Sequence, residues 1–421
     1  MKQKLLILLV LVFFSFEGFA QEGTIAVVVI KGAKKTNTNY LKRILDSKTG
    51  EALDSVKLNN DISQLKRLPA ISHATYKVTF ISEQTYKVSF TIEENFTIIP
   101  VVNFWTNNRS AIAYKIGVYD YNTLGRNIGF GGFYQNNGFD TYAVNFRAPH
   151  LFSRKFGLAI NHQNWKSEEP LYFDEGTANY KYNNISFEML GLYQLNLRNH
   201  FELGINIFKE KYNYLNGTVS QNTPLSLDLN KLLYKLIYTY DNLSYNYQYL
   251  DGFKSQFYGQ LVKSDEMKND NFLIAWNDFF YFRRIGSKGN WANRLRMGLS
   301  TNNDSPFAPF SLDNNVNLRG VGILVDRGTG SIVLNSEYRH TLFEKDWFSV
   351  QGNVFVDAGS WRNPGGELND FTKDKNIRLF SGVGLRIMHK RIFNAILRID
   401  YGHSLKNDGA KGFVFGIGQY F

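Results

Sequence analysis

Residues 377–388 read Ile-Arg-Leu-Phe-Ser-Gly-Val-Gly-Leu-Arg-Ile-Met. Taken in steps of two, Ile377, Leu379, Val383, Leu385 and Ile387 share one face, and Arg378, Phe380, Gly382, Gly384 and Arg386 share the other. A strand of a soluble sandwich has the same period. It seldom sets two arginines opposite its apolar face in a segment this long, whereas a strand between lipid and a polar lumen does so naturally.

The same period recurs along the chain from Phe96 onward. Strand-like segments lie near 97–106, 111–120, 127–136, 139–149, 155–165, 184–195, 199–211 and 231–241. They continue near 253–263, 271–283, 290–301, 330–343, 347–359, 377–389, 392–403 and 412–421. Each is about the ten residues that a tilted membrane strand needs, and the even count of sixteen suits a closed single-chain barrel. Links on one side are short (Asn122 to Arg126, Pro149 to Lys155, Glu344 to Trp347). Several on the other are long, at 166–183, 212–230, 302–329 and 360–376. Short inner turns and long outer loops are the asymmetry of outer-membrane barrels. Composition agrees: 16% of residues are aromatic, with 35 Phe and 25 Tyr against 8 Pro, and no second apolar run reaches helix-spanning length.

The N-terminus reads as an export signal over residues 1–20. Lys2 and Lys4 precede an apolar run of 12 residues, Leu5 to Phe16, and Gly18-Phe19-Ala20 offers a cleavage site before Gln21. That run is too short to span a bilayer. The chain has no cysteine, which excludes a lipoprotein anchor and a disulfide framework. The formal net charge is +11, but the basic residues are dispersed through alternating segments and form no patch for nucleic acid.

Residues 21–95 follow other periods. Ile25 to Ile30 reads as a strand, and Asn37 can cap a helix to Leu45 with Tyr40, Leu41 and Ile44 on one face. Leu58, Ile62, Leu65 and Leu68 place a second helix before Pro69, and His73–Ile81 and Thr85–Glu93 form two further strands. This β-α-α-β-β order, with its "LNNDISQLKRLPAI" helix, resembles a POTRA domain. The expected fold is therefore an α+β POTRA domain (21–95) followed by a 16-stranded antiparallel transmembrane β-barrel (96–421).

The link at 302–329 joins the eleventh and twelfth barrel segments and is the sixth outer loop. It carries Leu318-Arg319-Gly320, and the next segments carry Glu337 in "NSEYRHTL" and Phe355, Asp357 and Gly359 in "FVDAG". With "DYNTLGRNIGFGG" and "RAPHLF" in inner turns, these motifs make the chain similar to the BamA, TamA and two-partner-secretion superfamily of POTRA-plus-barrel proteins. The resemblance spans the mature chain. One departure is Val321, where the family usually has an aromatic residue.

By parity, Glu337 and Arg339 face the lumen opposite Ile332, Leu334, Tyr338 and Leu342, and Phe355 and Asp357 face it opposite Val354 and Val356. The resemblance implies that the sixth loop folds into the lumen. Arg319 beside Gly320 then acts as a latch, forking onto Glu337 and Asp357 in a water-filled interior. A closing seam is expected between the first segment, with Pro100 and Val102, and the last, "GFVFGIGQYF". Pro100 lacks an N–H and Gly416 and Gly418 weaken the last strand, so the seam could open and template a client strand. Phe413, Phe415, Ile417 and Phe421 resemble the C-terminal signal that barrel-assembly machinery recognises.

No catalytic or cofactor motif stands out. The seven histidines lack metal-ligand spacing, and "Glu168-Glu169" reads as a solvated pair in an outer loop. The expectation is a non-enzymatic, cofactor-free assembly or translocation factor of a Gram-negative outer membrane, with its POTRA domain in the periplasm. Its expected partners are outer-membrane lipid, a client polypeptide (a nascent barrel or secreted passenger) and accessory periplasmic proteins or lipoproteins. The alternative is a passive pore or ligand-uptake channel.

Overall fold

The computed structural model describes residues 23–106, 112–173, 176–219, 223–264, 271–302, 307–312, 317–321, 326–406 and 410–421. The export signal expected at 1–20 lies outside them. The N-terminal unit comprises β1 (Thr24–Lys31), α1 (Thr38–Ile44), α2 (Ser55–Lys66), β2 (Ile71–Ser82) and β3 (Thr85–Glu94). β3 is central, parallel to β1 and antiparallel to β2. Asn37 caps α1 by accepting from the Tyr40 N–H, and Asp54 caps α2 by accepting from those of Val56 and Lys57. Ile25, Tyr40, Leu41, Ile44, Leu58, Leu65, Val88 and Phe90 form one buried core between helices and sheet. Asp61 is buried on α2 and accepts from the backbone N–H groups of Asp46 and Ser47, tying the end of α1 to α2.

The remainder is a single antiparallel sheet of sixteen strands. Its strands are β4 (Ile98–Thr106), β5 (Ile112–Thr123), β6 (Ile128–Asn136), β7 (Asp140–Ala148), β8 (Phe156–Phe173), β9 (Gly176–Gln194), β10 (Asn199–Gly217) and β11 (Ser226–Asn246). They continue as β12 (Tyr249–Ser264), β13 (Phe272–Ile285) and β14 (Gly289–Ser300). Within the sixth outer loop, β15 (Phe310–Ser311) and β16 (Arg327–Gly328) pair as a short hairpin. Then come β17 (Gly330–Glu344), β18 (Phe348–Arg362), β19 (Ile377–His389), β20 (Ile396–Ser404) and β21 (Lys411–Ile417).

Period two governs both faces of the sheet. Val354, Val356, Val383, Leu385, Ile387, Leu397, Phe413 and Phe415 are exposed outward, while Asp357, Arg386, Arg398 and Asp400 are buried inward. The sequence expectation fails in two places. Residues 166–183 and 212–230, expected as outer loops, mostly continue β8 to β11. There the inward residues become aromatic (Tyr180, Tyr182, Tyr212) and the outward ones polar (Lys181, Asn183, Lys211, Asp228). The pattern inverts over the outer ends of these strands, so a search for apolar-out segments stops short. The last strand also ends early. It stops at Ile417, and Gly418 adopts φ +91°, turning Tyr420 inward to a buried position.

The POTRA-like unit packs against four of the seven inner turns, and Phe96 just after it reaches a fifth. Asn37 donates through its backbone to Gly125 O (2.9 Å), and Asn122 Nδ2 donates to Thr36 Oγ1 (3.1 Å). Arg67 on the α2 C-cap donates to Leu197 O and to Asp241, while His73 stacks on Tyr247. Phe96, between the two units, exchanges backbone hydrogen bonds with Arg391 and Phe393 of the β19–β20 turn (2.8 and 3.0 Å). At the "RAPHLF" turn, buried His150 meets the Tyr40 hydroxyl at Nδ1 (2.9 Å) and Gln194 at Nε2 (3.2 Å), and its carbonyl accepts from Arg43.

Burial holds the His150 imidazole below its ordinary range, Arg43 and Arg154 push the same way, and the Gln194 hydrogen bond opposes them. Docked, His150 is neutral; undocked, it titrates near about 6.5. Docking is therefore fully favoured above that pH and weakens as pH falls toward the depressed value, because the undocked state takes up the proton. We expect amide exchange in α1, taken relative to the intrinsic rate at each pH, to accelerate on going from about pH 7.5 to about pH 5.5, and His150→Gln to abolish that acceleration. The same acceleration in His150→Gln would place the titrating group elsewhere.

Candidate functional site

Four adjacent strands, β17 to β20, build a polar wall inside the barrel. β17 and β18 pair with Glu337 opposite Phe355 and Asn335 opposite Asp357, so both carboxylates lie on the inward face one diagonal step apart. β19 and β20 pair with Arg386 opposite Arg398 and Gly384 opposite Asp400. Asp400 thereby reaches the same level from the other side.

The sixth loop descends onto this wall. Leu312, Leu318 and Val321 pack with Val333, Trp361 and Phe380 in a buried apolar cluster above the charges. The side chains of Leu312 and Leu318 cover Gly359, the last residue of the "FVDAG" motif. Gly320 adopts φ +96° and lies directly on Gly402 of β20, where an added Cβ would sit 2.7 Å from the Gly402 carbonyl. The reverse holds too: a Cβ on Gly402 would sit 2.3 Å from Arg319 O. The two glycines let the loop backbone touch the barrel wall, which aims Arg319 downward.

Arg319 is completely buried. Its Nε and Nη2 donate to the two oxygens of Asp357 (2.8 and 2.9 Å), and its own backbone N–H adds a third bond to that carboxylate (3.0 Å). Nη1 donates to Glu337 and lies 3.7 Å from Asp400. The guanidinium carbon stands 3.6 Å from the Phe355 ring centroid and 4.5 Å from that of Tyr420. Around it, Arg339 donates to Glu337, and Arg386 donates to Asp400 (2.8 Å) and Glu337 (3.3 Å). Asn335 Nδ2 bridges Asp357 and the Asn317 carbonyl, at 2.8 Å each. Arg319, Arg339 and Arg386 thus face Glu337, Asp357 and Asp400, and all six are at most 1% exposed.

The structure brings Arg319, Gly320, Glu337, Phe355, Asp357 and Gly359 to one place. It differs from the expected water-filled latch, because all six charged side chains are buried. Sequence reading missed Asp400, Arg386 and Tyr420 as members. Asp400 and Arg386 had a usable signal, since their parity points them inward. Tyr420 had none, because its position depends on the turn at Gly418. Glu169 is a second correction: it is no solvated loop residue but faces inward and pairs with Arg327 of the sixth loop (2.7 Å).

At the seam, the sheet runs from β4 to β21 without closing: among the described residues, no ladder joins the two. The β4–β5 register continues unbroken through Pro100, as a proline permits when its missing N–H faces the open side. Val102, Phe413, Phe415 and Ile417 are exposed. Phe421 leaves that outward face and lies inside, its ring 5.5 Å from the Arg339 guanidinium.

Arg319→Ala would strand Asp357 without its ion partner, while Glu337 keeps Arg339 and Arg386. Breaking a buried pair from one side costs about 3–5 kcal/mol, here charged to the docked state of the loop. We expect a barrel that still migrates heat-modifiably on gels but whose 302–329 loop is cleaved much faster by protease. Arg319→Lys should recover only part, because an ammonium lacks the planar fork. Combined with Asp357→Asn, Arg319→Ala should be less than additive, and full additivity would mean that the contact contributes nothing.

Residues 23–95 match the family model described as "POTRA: Surface antigen variable number repeat". No curated protein matches the chain in sequence. Solved structures do match in fold. CdiB from Escherichia coli aligns at TM-score 0.63 with 12% identity, over 94% of this chain and 75% of that one. CdiB from Acinetobacter baumannii aligns at 0.58 with 13% identity, over 95% and 74%. BamA from Haemophilus ducreyi lacking POTRA domains 1–3 aligns at 0.55 with 16% identity, over 93% and 83%. Residues 23–95 match the POTRA family model, and the chain as a whole shares with the BamA and CdiB structures the fold of a POTRA domain followed by a sixteen-stranded barrel.

Proposed function

We propose that this chain is an outer-membrane protein assembly or translocation factor. It receives client polypeptides through the POTRA domain and delivers them at the seam between β4 and β21. The observation that carries this reading is the unpaired seam. Each edge strand presents backbone N–H and C=O groups with no partner from the other, which in lipid is costly and in the presence of a client strand is a template. The bridge from Phe96 to the β19–β20 turn holds the inner end of the barrel together beneath β21, so the seam can part above it without loss of the whole barrel.

A passive pore fits less well. The POTRA domain is docked across the inner turns, and the sixth loop occupies the lumen against four strands. The barrel's exposed apolar band is suited to outer-membrane lipid, and the chain would act without cofactor or catalysis. Accessory periplasmic proteins or lipoproteins remain natural partners for the POTRA surface that faces away from the barrel.

Cysteines scanned around Val102 on β4 and Phe415 on β21 should form a crosslink in cells. The crosslinked protein should lose client insertion or export, with recovery on reduction. A locked seam that leaves client handling intact would sink lateral delivery and favour passage through the lumen. In planar bilayers the intact chain should conduct little, and Arg319→Ala should conduct more and fluctuate. A large, steady conductance from the intact chain would favour the pore.

A further inference from the structure

The inner ends of β8 to β12 carry an aromatic row with basic residues beside it. Phe156, Tyr193, Phe201, Tyr238 and Phe257 stand opposite one another on five consecutive strands. They share the outward parity of exposed Met189, Leu203, Tyr234 and Phe253. Ring centroids are 4.7 Å apart for Phe156 and Tyr193, and 4.8 Å apart for Phe201 and Tyr238. One register step further from the POTRA domain the outward row holds Leu158, Leu203 and Leu236. The aromatic row is therefore the inner border of the exposed apolar band, the level at which barrel girdles meet the membrane–water interface.

Two inner turns adjoin this row. In the β7–β8 turn His150 is buried against the POTRA domain, whereas Leu151 and Phe152 are 39% and 69% exposed. The β9–β10 turn exposes Leu195. Lys155 immediately precedes Phe156, and its carbonyl accepts from the Gln194 N–H, which sets it beside the β9–β10 turn. Arg198 stands on that second turn, just before Asn199, where β10 begins. β8 and β10 are two strand spacings apart, about 10 Å, so the long side chains of Lys155 and Arg198 can reach one headgroup.

The carboxylates near these turns are already taken. Asp46 pairs with Arg154, and buried Asp61 accepts from the backbone N–H groups of Asp46 and Ser47. Asp241 accepts from Arg67 and Tyr245, and Glu202 holds both amines of Arg147. Among the described residues no carboxylate lies within ion-pair distance of Lys155 or Arg198, and both are exposed. Every residue of both turns and of α1 is described. On α1, Arg43 donates to the His150 carbonyl, and Lys48 donates to the carbonyls of Lys42 and Arg43, which adds positive charge beside the β7–β8 turn. We propose that the two turns form a binding site for an anionic phospholipid of the inner leaflet. Its phosphate sits between Lys155 and Arg198, its acyl chains lie along the aromatic row, and Leu151 and Phe152 enter the acyl region beside it. A lipid fits better than an acidic polypeptide because the cations border the lipid-facing band without a break. The same turn docks the POTRA domain through His150, so a bound lipid fixes that turn from the membrane side. The proposal rests on the outer-membrane placement argued above and is independent of client delivery.

The test titrates the full-length purified protein in detergent with phosphatidylglycerol and with phosphatidylcholine of the same acyl chains. Bound lipid is read by native mass spectrometry at low salt. Phosphatidylglycerol should bind more tightly than phosphatidylcholine. Lys155→Gln and Arg198→Gln should each weaken its binding about fivefold, and together about twenty-five-fold, with little change for phosphatidylcholine. Phe152→Asn should weaken both lipids alike, and Lys77→Gln, on β2 of the POTRA domain, should change neither. If the double variant assembles poorly, the two single variants carry the reading. Equal binding of the two lipids would overturn the proposal, as would unchanged binding in the single and double variants. Displacement of phosphatidylglycerol by inorganic phosphate at matched concentration would overturn it in favour of a free anion, and displacement by polyglutamate in favour of an acidic polypeptide. Fractionation away from the outer membrane would instead remove the placement on which it rests.

Discussion

The lumen is organised by one constraint: Arg319 is out of water and cannot give up its charge. A buried guanidinium must be met by carboxylates at fork geometry, and those carboxylates must be balanced in turn. Asp357 supplies the fork, Glu337 takes the remaining amine, and Arg339 and Arg386 then share Glu337 and Asp400. The result couples a loop to four strands through groups that cannot be removed singly without leaving a charge unpaired. The apolar cap of Leu312, Leu318 and Trp361 has the same logic, since it keeps solvent from weakening the charges beneath.

That anchor lies near the seam. β20 carries both Gly402, on which the loop rests, and Asp400, which joins the charge cluster, and β21 is its immediate neighbour. Tyr420, after the turn at Gly418, reaches back to stack near Arg319. Loop docking and the course of the final residues are thus physically in contact. On the inner side, the link through Phe96 passes from the POTRA domain to the β19–β20 turn. The seam is bordered by the latch inside the barrel and by the POTRA attachment below it.

The barrel wall is also uneven. β9 to β11 run to 19 and 21 residues, whereas β4, β20 and β21 have 9, 9 and 7. Strands on the tall side continue beyond the exposed apolar band with aromatic residues packed inward, including Tyr212 against Phe307 of the sixth loop. Glu169 and Arg327 add an ion pair there. The tall side braces the outer arms of the loop while its tip is held on the short side, one strand from the seam.

Much of this was legible in the sequence because period two is a property of each strand alone. The inward parity of Glu337 and Asp357, the β-α-α-β-β unit and the short inner turns all follow from local pattern and turn chemistry. Other features needed the folded chain. Whether β8 to β11 continue beyond the apolar band depends on neighbours that let aromatic residues pack inward, and residues 166–183 carry no apolar-out period to announce it. Asp400 and Arg386 belong to the latch only because sheet register brings β19 and β20 level with Asp357. Tyr420 belongs to it only because Gly418 turns the chain. Local sequence set which face each side chain takes; register and curvature, which arise from pairing distant segments, decided which of those side chains meet.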